Sequence, residues 1–137
     1  KAYERKEGFF TYYWSPTSLM GKYPMVRLEG GVPHDAAEWQ RCTTVTACPD
    51  PKVNYWQAGP VDTLVTGKFE QRPGVKPILD YLGKRSWSSA TVSELMVWMT
   101  ENQATAEDGA KHFLETRKDL WKSWLPADVA EKVEAAL

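Results

Sequence analysis

Three tryptophans, Trp14, Trp39 and Trp56, lie in or beside segments that read as loops. An indole face carries the negative part of the ring quadrupole and attracts soft cations. A quaternary ammonium suits such faces best: its methyl groups donate no hydrogen bond and must be surrounded by aromatic surface, each ring contributing about 1–2 kcal/mol once desolvated. Trp14 ends the aromatic run "GFFTYYW", residues 8–14, and Ser15-Pro16 stops that run. Its ring is therefore expected at the end of a strand, where α/β folds place their ligands. The competing use of Phe9, Phe10, Tyr12 and Tyr13 is core packing. Trp87, Trp98, Trp121 and Trp124 fall in or beside helical patterns and read as core.

Catalytic and metal-binding patterns are sparse. The chain has no GxSxG elbow, no HExxH and no glycine-rich phosphate loop. Its two histidines, His34 and His112, are far apart in sequence; His112 reads as a helix surface or boundary residue. His34 with Asp35 and Glu38 has the residue types of a loop cation site, although such loop carboxylates are ordinarily just solvated. Cys42 and Cys48 with a single nearby histidine make a poor zinc set, since structural zinc takes four ligands. A local disulfide is favoured over two free thiols. It would shape its small loop, add about 2 kcal/mol, and point to an oxidising compartment.

The composition, 42% hydrophobic and 26% charged residues in a chain of 137, suits one globular domain with a real core. A formal charge of -1 argues against a nucleic-acid binder or a polybasic membrane patch. No apolar run reaches the length of about 18 residues that spans a bilayer. Segments 8–14, 24–29 and 61–69 read as strands, separated by a long irregular stretch that holds both cysteines. After Pro73 the pattern turns helical. One helix surrounds Pro77, and a capping-box pattern at Thr91 and Glu94 opens another over 92–102. Thr105 and Asp108 begin a third, which carries Phe113, Leu114, Trp121 and Trp124 on one face, and Pro126 begins the last. Strands come first and helices later. The chain starts at Lys1 with a strand candidate almost at once, which reads as a processed or excised segment.

The same residues resemble a known family. "FFTYYWSPTSLMGKYPMVRLE" is similar to the strand motif of glycine betaine-binding proteins of ABC importers, where an aromatic run ends in Trp-(Ser/Thr)-Pro. "CPDPKVNYW", "VDTLVTGKF", "PILDYLGKRSW", "ELMVWMTEN" and "GAKHFLETRKDLWKSWLPADVAEKVEAAL" follow in the family's order. The resemblance implies an α/β fold, part of a two-lobed, type II periplasmic-binding-protein-like trap. Residues 1–60 would end the second lobe, and 61–137 would return into the first. It also implies a cage of tryptophans around a trimethylammonium group, with Trp14 as one wall, Tyr13 and Ser15 at the rim, and Trp56 as a weaker candidate near the return toward the hinge. Members are longer than this chain, so the remaining cage and carboxylate-binding groups are expected in a missing N-terminal half or a domain-swapped partner chain.

The reading is therefore a non-catalytic, periplasmic solute-binding component that delivers its ligand to a membrane permease and uses no cofactor or metal. Glycine betaine leads, with choline, proline betaine, carnitine and trimethylamine N-oxide as candidates. Two rivals stay open: a protein-interaction module built on exposed aromatics, and a metal-assisted enzyme using His34, Asp35 and Asp50.

Overall fold

The computed structural model describes all of residues 1–137, and all of its regular secondary structure is helical. The helices are α1 (Ser18–Lys22), α2 (Ala36–Glu38) running directly into a π-helical turn (Trp39–Thr43), α3 (Gly67–Glu70), α4 (Lys76–Lys84), α5 (Ser89–Glu101), α6 (Ala106–Thr116), α7 (Lys118–Lys122) and α8 (Ala127–Ala135). The expected α/β fold with strands first is overturned, because no strand is present. The three strand candidates have suitable residues but no partner backbone opposite them. A strand exists only as part of a ladder, and alternation of side chains cannot supply one. Their apolar side chains are left exposed, with Phe10, Val61 and Leu64 each at least 90% accessible.

The chain divides into two units, residues 1–25 with 63–137 and residues 26–62. The larger unit is a helical assembly whose starts are set by side chains. The Thr17 hydroxyl accepts from the Met20 N–H at the head of α1. Ser88, three residues earlier than the sequence pattern suggested, accepts from the Thr91 N–H and opens α5. Thr105 and Asp108 form a full reciprocal capping box on α6, which satisfies two otherwise orphaned donors. Pro77 is tolerated because it lies in the first turn of α4, where its missing N–H has no partner to lose.

The face expected to run continuously through Phe113 and Trp124 is broken at Arg117, which leaves helical geometry between α6 and α7. That bend folds Trp121 and Trp124 back onto Phe113 and Ala130, with Tyr81, Leu95, Leu114 and Val133 packed around them. Trp121 is 2% exposed, and its indole N–H donates to the Leu114 carbonyl at 2.8 Å. Trp87 stays half-exposed yet closes the cluster, with ring centroids 4.4 Å from Phe113 and 5.3 Å from Trp124. Trp98, expected in the core, instead lies half-buried and stacks on His112 at 3.8 Å.

Close helix approach explains two glycines. A Cβ on Gly21 of α1 would lie 2.8 Å from Val97 Cγ2 and 2.9 Å from the Ser93 carbonyl oxygen of α5. One on Gly109 of α6 would meet Met99 Sδ at 2.7 Å. Trp121→Ala removes the most deeply buried tryptophan, so it is expected to destabilise the larger unit by about 3–5 kcal/mol. Chemical denaturation followed by circular dichroism measures this, and a loss under about 1 kcal/mol would contradict the central role given to Trp121.

Candidate functional site

Residues 26–62 bury few of their side chains, and Cys42 and Glu38 are the buried residues of the unit. Polar staples hold it instead. The Cys42–Cys48 disulfide is present, with Cα atoms 5.2 Å apart, and closes the loop after the π-helical turn. Asp35 caps α2, its carboxylate accepting from the N–H groups of Ala37 and Glu38. Asp35 and Asn54 also clasp each other: the Asp35 N–H donates to Asn54 Oδ1, and Asn54 Nδ2 donates to the Asp35 carbonyl, both at 2.9 Å. Arg27 donates through two guanidinium nitrogens to the Tyr55 hydroxyl.

Glu38 ties the two sides of the loop together. Its carboxylate takes a bidentate bond from Arg41 at 2.8 and 2.9 Å and a third bond from the Lys52 N–H at 3.1 Å. Arg41 also donates to the Asp50 carbonyl. These bonds, the Arg41 pair first and the Lys52 N–H after it, hold the Glu38 carboxyl below the usual range against the opposing effect of burial.

The staples place an aromatic corner. Trp39, at the start of the π-helical turn, and Trp56 lie with ring centroids 4.8 Å apart and planes at 80°. His34 also packs against Trp39, with ring centroids 5.4 Å apart. His34 Nδ1 lies 2.8 Å from the Tyr55 carbonyl oxygen, which can only accept, so Nδ1 carries the proton. Beside this corner is a cleft of about 460 Å³ lined by His34, Ala36, Trp39, Gln40, Gln57 and the segment 58–60. Its volume falls within the range of small-molecule sites.

Trp14 belongs to the larger unit. It is 66% exposed, with Tyr12 edge-on at 5.8 Å, and its carbonyl accepts from the Thr17 hydroxyl that caps α1. Tyr13 is 52% exposed and Ser15 is also exposed. Trp14 is therefore anchored through its backbone while its ring stays accessible. Of the sequence candidates, Tyr13, Trp14 and Ser15 remain neighbours along one segment, and Trp56 lies in the other unit. The sequence groups Trp39 with Trp14 and Trp56 as loop tryptophans and singles out His34 separately, without placing Trp39, Trp56 and His34 in one corner. No periodicity could have done so, because the three are brought together by bonds across the loop, the Asp35–Asn54 clasp, the His34–Tyr55 bond and the Glu38–Lys52 bond. His34, Asp35 and Glu38 form no metal cluster, since Asp35 is spent on the helix cap and Glu38 on Arg41.

Comparison with known proteins gives one family. Residues 1–116 match the family model described as the substrate binding domain of ABC-type glycine betaine transport systems. No curated protein and no solved structure matches the chain.

The Glu38 staple makes the smaller unit sensitive to acid. A carboxyl whose folded pKa is depressed contributes stability above its unfolded pKa and loses that contribution as pH falls through the lower folded value. Trp39 fluorescence is therefore expected to change as pH drops below about 4.3, the ordinary glutamate value. Glu38→Gln, compared in a background in which Trp56, the other tryptophan of the unit, is replaced by Phe, should remove that transition; an unchanged profile would assign it to another group.

Proposed function

Since the chain belongs to the substrate-binding domain family of ABC-type glycine betaine transport systems, we propose that it binds a quaternary ammonium or related methylated amine through exposed aromatic faces. The family assignment itself sets the coarser role: a substrate-binding component of an importer, with a small ligand and a transporter permease as partners. Substrate-binding domains of this kind capture and deliver their ligand and do no chemistry on it. They act on the outer side of the membrane, and no helix of this chain is long and apolar enough to cross one.

The observation that carries the finer reading is Trp14. A ring of that size, two-thirds exposed and held by its own backbone at the head of α1, is a poor use of aromatic surface unless something covers it. A trimethylammonium group is such a cover, because its charge is spread over methyls that are weakly hydrated and interact well with an indole face. Tyr13 and Ser15 flank the ring and are assigned to the rim of the site. Trp56, in the smaller unit, is assigned as a separate aromatic contact for the same ligand class, in its own corner with Trp39. Glycine betaine leads the ligands, with choline, proline betaine, carnitine and trimethylamine N-oxide behind it. Closure around the ligand then shifts a population of conformations, by no more than the ligand's differential affinity for them.

Trp14→Ala is expected to weaken binding of glycine betaine by about tenfold or more, with the helical circular dichroism spectrum retained. Isothermal titration with glycine betaine, and with dimethylglycine as a control that can donate a hydrogen bond, measures this. Unchanged affinity in the variant would remove Trp14 from the site. Indifference of the wild-type protein to N-methylation would favour a protein-docking role for the exposed aromatics.

A further inference from the structure

We propose that residues 26–30 of the smaller unit are a homotypic interaction edge, which pairs antiparallel with the same residues of a second copy of this chain. This edge is separate from the ammonium-binding reading and needs no ligand. Val26, Arg27, Leu28, Glu29 and Gly30 lie outside any helix or turn, and all five are exposed. No group of the chain hydrogen-bonds to the backbone N–H or carbonyl of Val26, Arg27, Leu28 or Glu29. Val26 is 87% and Leu28 65% exposed, so apolar area and unpaired backbone occur together. That combination is the template to which a further strand adds. Gly31, with φ at 73°, lies in the bend that ends the edge.

The charges identify the occupant. With Leu28 opposite Leu28 of the second copy, the antiparallel two-fold register sets Arg27 of each chain against Glu29 of the other, and Val26 against Gly30, which has no side chain to exclude it. Opposite side chains in such a pair share a face. Val26 and Leu28 of both copies therefore make one apolar face, while the four charges alternate in sign on the other. A parallel, in-register pair would bring Arg27 to Arg27 and Glu29 to Glu29, so the charges select the antiparallel direction. Arg27 is already held for this contact: its Nε donates to the Tyr55 hydroxyl at 2.8 Å, and its guanidinium lies 5.2 Å over the Tyr55 ring. Its own Glu29 is 3.7 Å away, with both side chains 72% exposed, which leaves each accessible to an opposite charge on another chain. A net charge of -1 adds little repulsion between copies. An isologous two-fold contact closes at two chains, so the product is a dimer and not a fibre.

The test is sedimentation equilibrium of the full chain at low salt, without ligand. A short edge buries little area, so wild-type dimers are expected with a dissociation constant on the order of 0.1–1 mM. Arg27→Glu and Glu29→Arg each set like charges opposite one another across the two-fold, and each variant is expected to associate at least about tenfold more weakly. Mixed in equal amounts, the two variants present acids on one chain and bases on the other, and the mixture should regain affinity to within about threefold of wild type. Arg27→Glu also gives up the Tyr55 bond, whereas Glu29→Arg keeps it. Recovery in the mixture shows that both edges are intact. The double variant Arg27→Glu with Glu29→Arg exchanges the charges without changing their pairing, and should associate as the wild type does. Wild-type protein that stays monomeric at about 2 mM overturns the homotypic edge. Association that survives either single substitution, or variants that fail to recover on mixing, overturns the register and the assignment of this segment. Neither result bears on ligand binding, which the titration with glycine betaine measures separately.

Discussion

Burial of Trp121 is the constraint on which the larger unit depends. The side chain is almost fully enclosed, and its one polar atom is satisfied by the Leu114 carbonyl near the end of α6. That bond requires α7 to fold back toward α6, and the fold-back in turn brings Trp124 against Phe113 and Tyr81. A buried indole without its acceptor would cost about 1–3 kcal/mol, so the bend at Arg117 and the core are mutually dependent. Arg117 also pairs with Glu94 of α5, linking the bend to the helix on which α1 packs. The position of α1, and with it the anchor of Trp14, is set through the same set of helices.

The smaller unit solves a different problem. A segment of this length has too little apolar surface to build a core, and small folds in that position rely on cross-links. Here the disulfide, the Asp35–Asn54 clasp and the Glu38 carboxylate do that work. Each uses polar or sulfur atoms, so the aromatic side chains of the unit are not consumed by the interior. Trp56 remains half-exposed, and Trp39 borders a cleft instead of a core. The larger unit does the opposite, enclosing Trp121 and Trp124 and using their area for stability. Tryptophan thus has two physical roles in one chain, separated by how each unit is held together.

This division bears on binding. A quaternary ammonium is recognised by surface that is apolar, polarisable and still accessible, and such surface is unstable in water unless something rigid supports it. Trp14 is supported by a hydroxyl-to-carbonyl bond at a helix cap, and the Trp39–Trp56 corner by covalent and ionic staples. Both arrangements fix the backbone while Trp14 and Trp56 stay more than half exposed. Pre-ordering of this kind lowers the conformational entropy lost on binding.

Several features were settled by the sequence alone. The family was legible in the aromatic run ending at Trp14-Ser15-Pro16 and in the order of the segments after it, and the later match over residues 1–116 agrees. The helical half was legible because 3.6-residue periodicity and cap residues such as Thr105 and Asp108 act over a few neighbours. The disulfide was legible from two close cysteines. The strands were misread because a strand depends on a distant backbone, which no local pattern reports, and residues 8–14, 24–29 and 61–69 have none beside them. The break at Arg117 was missed for a similar reason: it follows from where Trp121 finds an acceptor. The corner of His34, Trp39 and Trp56 is held by bonds across the loop, Asn54 with Asp35, His34 with the Tyr55 carbonyl and Glu38 with the Lys52 N–H, between residues that share no sequence period. Short-range hydrogen bonding and periodic burial can be read along a chain, whereas pairing across irregular segments is decided only when the chain folds.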